Sequence, residues 1–277
     1  MKTLTSTFAA LSDLEETDFL ESLTEARKWE KKFLLNENLV RDNHYKWPNS
    51  AVNNWGRIWE YPYVMKMIDI ISQNADIKNV ADVGPGITFF PLWLAQRSDI
   101  ESIHTIDNDP ICVTGNANIC SVFNKEGGHK IHSILSDGND LGDITNNSLD
   151  LIYSISVIEH IPNPRKIIKS ITQKLKQNGY LVLTFDVALR EDFGLLPDQF
   201  YDFLSLLEEN YHFQAPVRNV HPLDLLTSTN SPVESERRSI VGRTKGLIKD
   251  SLAGKLRYSF SDYKLNIGCY GIVLRKL

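Results

Sequence analysis

The segment from Asn79 to Phe90, N-V-A-D-V-G-P-G-I-T-F-F, determines the fold prediction for this chain. Val80 to Val83 is a short apolar run typical of a buried strand, and Gly84-Pro85-Gly86 follows it directly. The next residues, 89–94, are apolar and compatible with a helix. A strand, a glycine turn and a helix in this order predict the crevice of a doubly wound fold, where a nucleotide-like ligand can approach the backbone closely.

The spacing around the turn distinguishes between classes of ligand. A dinucleotide fingerprint has a third small residue three positions after the second glycine, where this chain has Phe89. Asp82, just before the turn, is a poor neighbour for a pyrophosphate and suits a cofactor with a cationic end, such as S-adenosylmethionine (SAM). These features disfavour a nicotinamide oxidoreductase. From the turn alone, a tight turn that holds no ligand remains the alternative.

Composition excludes several other classes. The chain has 277 residues, 42% hydrophobic and 23% charged, as expected for a globular protein with a full core. Its net charge of −5 argues against a dedicated nucleic-acid binder. No stretch approaches the length of a membrane span, and no signal-peptide pattern opens the sequence. The three cysteines (Cys112, Cys120, Cys269) fit reduced thiols better than disulfides or a zinc site, which predicts a cytoplasmic protein without a metal.

Strands and helices alternate after residue 60, which predicts a doubly wound, mostly parallel α/β sheet with helices on both faces. We expect seven strands, the last antiparallel. The domains follow as an N-terminal helical cap (1–60), a core (61–211), an insertion (212–262) and a final strand (263–277). Pro62 is expected to open one helix, and Asn163-Pro164 to begin another that ends at Asn178-Gly179. The expected strands are Val80–Val83, Ser102–Ile106, Ile131–Leu135, Leu151–Ser154, Tyr180–Phe185 and a last one within 265–277.

Acidic residues follow the predicted strands at the positions that an adenosine group requires. Asp107 ends the second of these strands, at about the offset expected for a ribose-binding acid, with Asn108 beside it. Asp137-Gly138, after the third, can accept the adenine amine. For both sites a solvated turn is the alternative. The fourth strand, with Ser154 near its end, should lie beside the first at the point where ligands bind.

In this order the motifs resemble those of the class I SAM-dependent methyltransferases, in the branch that acts on small molecules, lipids and sugars. The resemblance covers about residues 60–190 and the last strand, and implies SAM as cofactor. It departs from the family at Thr88, which replaces a third glycine, and at Leu-Lys-Gln-Asn-Gly (175–179), where the family has Leu-Lys-Pro-Gly-Gly. The matching residues are Asp82 to Gly86, Asp107, Asp137, Asp140-Leu141, Ser148 to Ile152, Ile158 to His160 and Leu175 to Leu181.

The same resemblance places Glu159 and His160 at the mouth of the pocket as candidate catalytic residues. His160 is the better base by its intrinsic pKa, and a structural role before Pro162 is its alternative. Trp59, Tyr61 and Asp186 are candidate substrate contacts. The two aromatic rings can instead pack the N-terminal segment onto the core, and Asp186 can cap a turn.

Residues 237–257 form a basic amphipathic segment in an acidic chain. It holds seven basic residues and one acid, and this pattern predicts either an anionic partner or a solvated helix. Overall, the sequence predicts a SAM-dependent methyltransferase with a small-molecule or glycan-type acceptor, and oxygen as the expected acceptor atom. A non-catalytic binding or scaffold protein of the same fold is the alternative.

The cofactor prediction can be tested by calorimetry. We expect the protein to bind SAM and S-adenosylhomocysteine. Asp107→Ala should weaken binding strongly by removing the ribose acceptor, and Gly86→Val by blocking close approach to the backbone. Asp198→Ala, near the predicted helix at 201–207, is the control and should bind normally. A folded wild-type protein that binds neither compound would refute the SAM hypothesis.

Overall fold

The computed structural model describes residues 3–36, 44–45, 50–136, 141–189, 194–214, 217–233 and 267–277. Within these ranges the chain forms a single mixed sheet flanked by helices. The helices are α1 (Thr17–Leu34), α2 (Arg57–Ser72), α3 (Phe90–Ala95), α4 (Pro110–Val122), α5 (Pro164–Lys174) and α6 (Pro197–Glu208). The strands are β1 (Ser6–Phe8), β2 (Asn79–Val83), β3 (Ser102–Asp107), β4 (Ile131–Leu135), β5 (Leu149–Ile155), β6 (Leu175–Ala188), β7 (Tyr211–Phe213), β8 (Val217–Arg218) and β9 (Ile267–Lys276).

The strand order is β4-β3-β2-β5-β6-β9. The first five strands in this order run parallel to one another. β9 is antiparallel to β6, and β7 pairs with the far edge of β9. These seven strands confirm the predicted doubly wound sheet with an antiparallel last strand. Because β2 leads to β3 on one side and β5 continues on the other, the order reverses between β2 and β5. This is the place where open α/β sheets bind ligands.

Two short strands extend the sheet beyond this core. β1 pairs antiparallel with β9 at Thr7–Gly271, and β8 pairs parallel with β1. The sequence did not predict β1 because three residues, Ser-Thr-Phe, carry no measurable alternation. Its strand conformation depends on the β9 edge that it meets.

Side chains alternate between two hydrophobic layers. Val80, Leu151 and Val182 face the layer formed by α1 to α4, whereas Ala81, Ile152 and Leu181 face α5 and α6. This alternation is the period of two that any strand imposes on its side chains. Asp82 on β2 pairs with Tyr153 on β5, and Tyr153 pairs with Val182 on β6. All three side chains therefore lie on the α2 side of the sheet.

The boundaries of α2 and α5 differ from the prediction, and α6 begins at Pro197 where the helix was expected from residue 201. α2 begins at Arg57 and contains Pro62 in its interior, because burial of Ile58, Trp59 and Tyr61 stabilises the turn before the proline. α5 ends at Lys174, because Leu175 already pairs with Leu149 as the first residue of β6. Asn163 precedes α5, but its side chain makes no capping hydrogen bond.

Aspartate 13 holds the N-terminal segment against the sheet. Its carboxylate accepts two hydrogen bonds from Arg218 at 2.5 and 2.7 Å and one from Trp59 Nε1 at 2.7 Å. The backbone N–H of Ala10 donates to it as well, at 3.0 Å. A buried carboxylate with this many donors is fully compensated for its loss of water.

No helix in the described parts of the chain is both long enough and apolar enough to cross a membrane.

The close packing of α2 on β9 gives a stability prediction. A Cβ on Gly271 would lie 2.5 Å from the Tyr63 ring and 2.9 Å from Trp59, whereas a Cβ on Gly268 would meet its nearest atoms at 3.8 Å. Gly271→Ala should therefore lower the free energy of unfolding by about 1–3 kcal/mol through overpacking. Gly268→Ala, on the same strand, should change it by less than about 0.5 kcal/mol. Urea denaturation of both variants measures the difference, and equal effects would contradict this account.

Candidate functional site

The glycine turn after β2 has the backbone geometry that its sequence predicts. Gly84 and Gly86 have φ values of +73° and +57°, a region that favours glycine. The space is also closed to side chains, since a Cβ on Gly84 would lie 2.6 Å from Val157 and one on Gly86 would lie 2.8 Å from the Tyr45 hydroxyl. The N–H of Ile87 donates to that hydroxyl at 2.9 Å. Tyr45 therefore lies directly over the turn.

Asp107 and Asp82 flank this turn. The Asp107 carboxylate ends β3 and accepts hydrogen bonds from the N–H groups of Gly86 (3.2 Å) and Asp109 (2.9 Å). Its pKa is raised by partial burial, against which these two bonds act. Asp82 is 3% exposed, and burial, with a further contribution from the Asp107 charge, raises its pKa to about 8. The Tyr153 hydroxyl acts against this shift, but no cation among the described residues is paired with Asp82, so an acid buried under the turn favours a ligand that carries positive charge.

The other predicted cofactor residues lie at different distances from the turn. Ser154 is fully buried and donates to the Val83 carbonyl at 2.8 Å, which joins the ends of β5 and β2. Thr88 lies just before α3, where its hydroxyl accepts from the Phe90 N–H at 3.4 Å. Asn108 is exposed beside Asp107. Asp137 and Gly138 lie outside the described residues.

A second group of polar residues lies where β5 and β6 end. Glu159 follows β5 in a short 3-10 turn, Ile158–His160, and its Oε1 accepts from Ser156 Oγ at 2.8 Å and from the Asp186 N–H at 3.2 Å. Ser156 has φ +54°, a left-handed conformation that is rare outside glycine and is found at functional sites. His160 is exposed at the end of this turn.

Helix α2 adds Arg57 and Glu60 to this group. Arg57 donates to Glu60 Oε2 at 2.6 Å, and Glu60 is 1% exposed. Gly56 permits the approach, since a Cβ there would lie 2.7 Å from Cys269 Sγ on β9. The Cys269 thiol in turn donates to Asp186 Oδ1 at 3.5 Å. We call Arg57, Glu60, Glu159 and Asp186 the acidic cluster.

The acidic cluster shifts the titration of its own members. Burial raises the pKa of Glu159 to about 7, and the Glu60 charge adds to this shift. Burial also raises the pKa of Asp186 well above its usual range, with Glu159 and Glu60 contributing. Although His160 is exposed, partial desolvation of its ring and the Arg57 charge lower its pKa, which favours the neutral imidazole. Perturbed carboxyl groups in a crevice are typical of functional sites.

The two aromatic candidates occupy different environments. Trp59 is fully buried, stacked on Tyr63 at 4.5 Å and hydrogen-bonded to Asp13, which favours the packing alternative for this ring. Tyr61 contacts the Phe89 and Phe90 rings after the glycine turn, at 5.1 and 5.5 Å. It therefore connects α2 to the turn.

Sequence reasoning did not identify Tyr45, Arg57, Glu60 or Asn116 as site residues. Asn116, on α4, is 1% exposed and donates to the Gly86 carbonyl at 2.7 Å, while its Oδ1 has no partner among the described residues. These residues come from segments without a recognisable motif. A charged pair at i, i+3 within the apolar run of α2 was the only available signal.

The residues around the turn fit SAM. Two left-handed glycines admit a ligand close to the backbone, Asp107 presents carboxylate oxygens that diol hydroxyls can donate to, and buried Asp82 is suited to an ammonium or sulfonium. Among the described residues, no group of three or more His, Cys, Asp or Glu side chains is arranged to hold a metal ion. All three cysteines are free thiols.

Comparison with known proteins agrees with this geometry. A family model described as a methyltransferase domain matches residues 81–183, from β2 into β6. No curated protein sequence matches the chain.

Solved structures share the fold at low sequence identity. The [4+2]-cyclase SpnF is 17% identical with a TM-score of 0.54, over 92% of this chain and 96% of that one. The MccD protein is 11% identical with a TM-score of 0.53, over 78% and 98%. YcgJ from Bacillus subtilis is 13% identical with a TM-score of 0.50, over 76% and 96%.

The structural matches show the fold alone, and the functional evidence is the match of residues 81–183 to a methyltransferase domain. The matched segment contains the turn at Gly84–Gly86, both flanking acids and Glu159, on a sheet whose order reverses beside that turn. Residues 81–183 thus match a methyltransferase domain, within a sheet that has the Rossmann-like strand order expected for SAM-dependent methyltransferases of class I.

Proposed function

We propose that this enzyme transfers the methyl group to a hydroxyl oxygen of a small-molecule or glycan-type acceptor bound where β5 and β6 end. The observation that carries the proposal is Glu159, a carboxyl group whose pKa is raised to about 7 at that edge of the sheet. A neutral hydroxyl needs a base to accept its proton during transfer, and a base works best with a pKa near the working pH.

Bound SAM supplies a methyl group already activated by its sulfonium. The residues of the turn would hold it, with Asp82 toward its cationic end and Asp107 and Asn108 toward the ribose. Thr88 and Ser154 would shape the turn around Gly84 and Gly86. Asp137 and Gly138, outside the described residues, remain our proposal for the adenine contact. Alignment of donor and acceptor can then supply much of the rate acceleration.

Glu159 is the stronger candidate for the base. Ser156 Oγ and the Asp186 N–H fix its Oε1, while its Oε2 has no partner within the described residues and can accept a proton. His160, adjacent and with its neutral imidazole favoured, is the second candidate. Asp186 and Tyr61 line the same side of the sheet and would contact the acceptor, whereas Trp59 would support Tyr61 through α2.

Two further expectations remain proposals. The basic segment at 237–257 lies outside the described residues, and an anionic partner for it rests on its composition alone. A cytoplasmic location is consistent with three free thiols, two of them fully buried.

Product analysis tests the acceptor atom. The enzyme is incubated with SAM carrying an isotope-labelled methyl group and with fractionated small molecules from a cell extract, and the labelled product is examined by NMR. A methoxy signal supports the proposal. An N-methyl or S-methyl signal would refute oxygen as the acceptor, and the methyltransferase assignment would stand.

The role of Glu159 predicts a change in the pH profile. Because the base must be ionised, kcat with the labelled acceptor should fall as pH drops below about 7. Glu159→Gln should remove this limb and lower kcat by roughly 10²–10⁴-fold, as loss of a general base does. Glu208→Gln, exposed on α6, is the control. If the limb persists in Glu159→Gln and disappears in His160→Gln, His160 is the base instead.

A further inference from the structure

The acidic cluster contains more negative charge than its protein partners can balance. It holds three carboxyl groups and one guanidinium: Arg57 donates to Glu60 at 2.6 Å, the Asp186 N–H donates to Glu159 at 3.2 Å, and the Asp186 carboxyl group accepts from the Cys269 thiol. Glu60 and Asp186 are 1% and 7% exposed, so water compensates them poorly. A buried ion cluster with unmatched charges is costly unless another group supplies the opposite charge.

Unpartnered acceptor atoms in the same place indicate that this group is a ligand. The hydroxyl of Thr184 is fully buried and has no hydrogen-bond partner in the described ranges, and the same holds for Glu60 Oε1. Thr184 lies two residues before Asp186 on β6, so both side chains project from the same face of the sheet, toward α2. Buried polar atoms without partners are uncommon and mark sites where a partner is missing.

The acidic cluster is separate from the glycine turn. Asp82 is level with Val182 on β6 through Tyr153, and Asp186 lies four residues further along that strand. Asp186 is therefore displaced from Asp82 by two strand spacings across the sheet, about 10 Å, and by four residues along the strands, about 13 Å. Since Gly86 is also four residues beyond Asp82, the acidic cluster lies level with the turn and two strands to its side, where the acceptor of the proposed reaction would bind.

We infer that the acidic cluster binds a protonated amine of the acceptor, held by Glu60, Asp186 and Thr184 Oγ1, while the hydroxyl to be methylated faces Glu159. The inference rests on the proposed function, whose acceptor it narrows to amino sugars and amino alcohols. An ammonium group offers three N–H donors and one positive charge, which matches the free acceptor atoms and the excess of negative charge.

The ammonium of SAM itself has the same chemistry, so the test must separate two sources. Labelled SAM is offered glucosamine and 2-aminoethanol and, as matched neutral compounds, N-acetylglucosamine and N-acetyl-2-aminoethanol. We expect O-methylation of an amine-bearing compound at a kcat/KM roughly 10- to 100-fold above that of its N-acetyl counterpart, the range for one charge-assisted contact. Equal labelling of the pair, or no labelling of either amine-bearing compound, would overturn the inference. Label on the hydroxyl groups of the N-acetyl compounds would leave the oxygen proposal standing. Label on nitrogen would refute that proposal.

Two variants locate the contact. Asp186→Asn should raise the KM of the amine-bearing compound by roughly 10- to 100-fold, and Thr184→Val by roughly 3- to 10-fold. Both should leave the Kd for S-adenosylhomocysteine within about twofold. Because that compound carries the same ammonium as the cofactor, its affinity reports whether the acidic cluster binds the cofactor instead. A parallel loss of S-adenosylhomocysteine affinity would assign the acidic cluster to the cofactor and overturn the inference.

Thermal unfolding of the empty protein gives an answer that does not depend on the acceptor. Asp186→Asn removes a buried carboxyl group whose ionised form is disfavoured in the folded protein, and it should leave the Tm unchanged or raise it. Asp13→Asn is the matched control, because this buried aspartate is paired with Arg218, and its loss should lower the Tm by several degrees. If Asp186→Asn lowers the Tm as much as Asp13→Asn, the acidic cluster is a structural ion network and the inference is wrong.

Discussion

The antiparallel ladder between β6 and β9 is the interaction on which the rest of the structure depends. It runs without interruption from Tyr180–Arg275 to Ala188–Ile267, and through β9 it joins the parallel half of the sheet to the short strands β1 and β7. It also sets Asp186 directly opposite Cys269. A shift of one residue would turn every side chain of β9 to the other face, so the two hydrophobic layers maintain this register.

Helix α2 then determines what lies over that ladder. Nearly all of its side chains are buried, and it packs closely on β9 because Gly56 and Gly271 leave room for Cys269 and for the rings of Trp59 and Tyr63. A helix buried on all sides would normally be apolar throughout. Of its charged residues, Lys66 and Asp69 lie on a partly exposed side, whereas Arg57 and Glu60 face the ends of β5 and β6. The cost of burying them indicates that this end of α2 is retained for binding more than for stability.

Local sequence patterns were enough to predict the parallel half of the sheet and the residues of the glycine turn. Asp82, Gly84, Gly86 and Asp107 belong to strands and turns whose signals lie within a few residues of each other, and the structure brings them together as expected. Arg57 and Glu60 could not be predicted, because their role depends on a packing partner more than 100 positions away. The same reason explains β1 and the interior position of Pro62, where tertiary contacts outweigh local preference.

The pairing of β1 with β9 also has a consequence for how this protein folds. Thr7 pairs with Gly271, so β9, which lies next to β6, is bordered on its other side by residues more than 250 positions earlier in the sequence. Contacts over such separations require closure of very long loops, which slows folding of sheets rich in them. The parallel strands β2 to β5 can pair before β9 arrives, and this leaves the β6 edge open to other chains in the meantime. We therefore expect refolding yield to depend on protein concentration even where native stability does not.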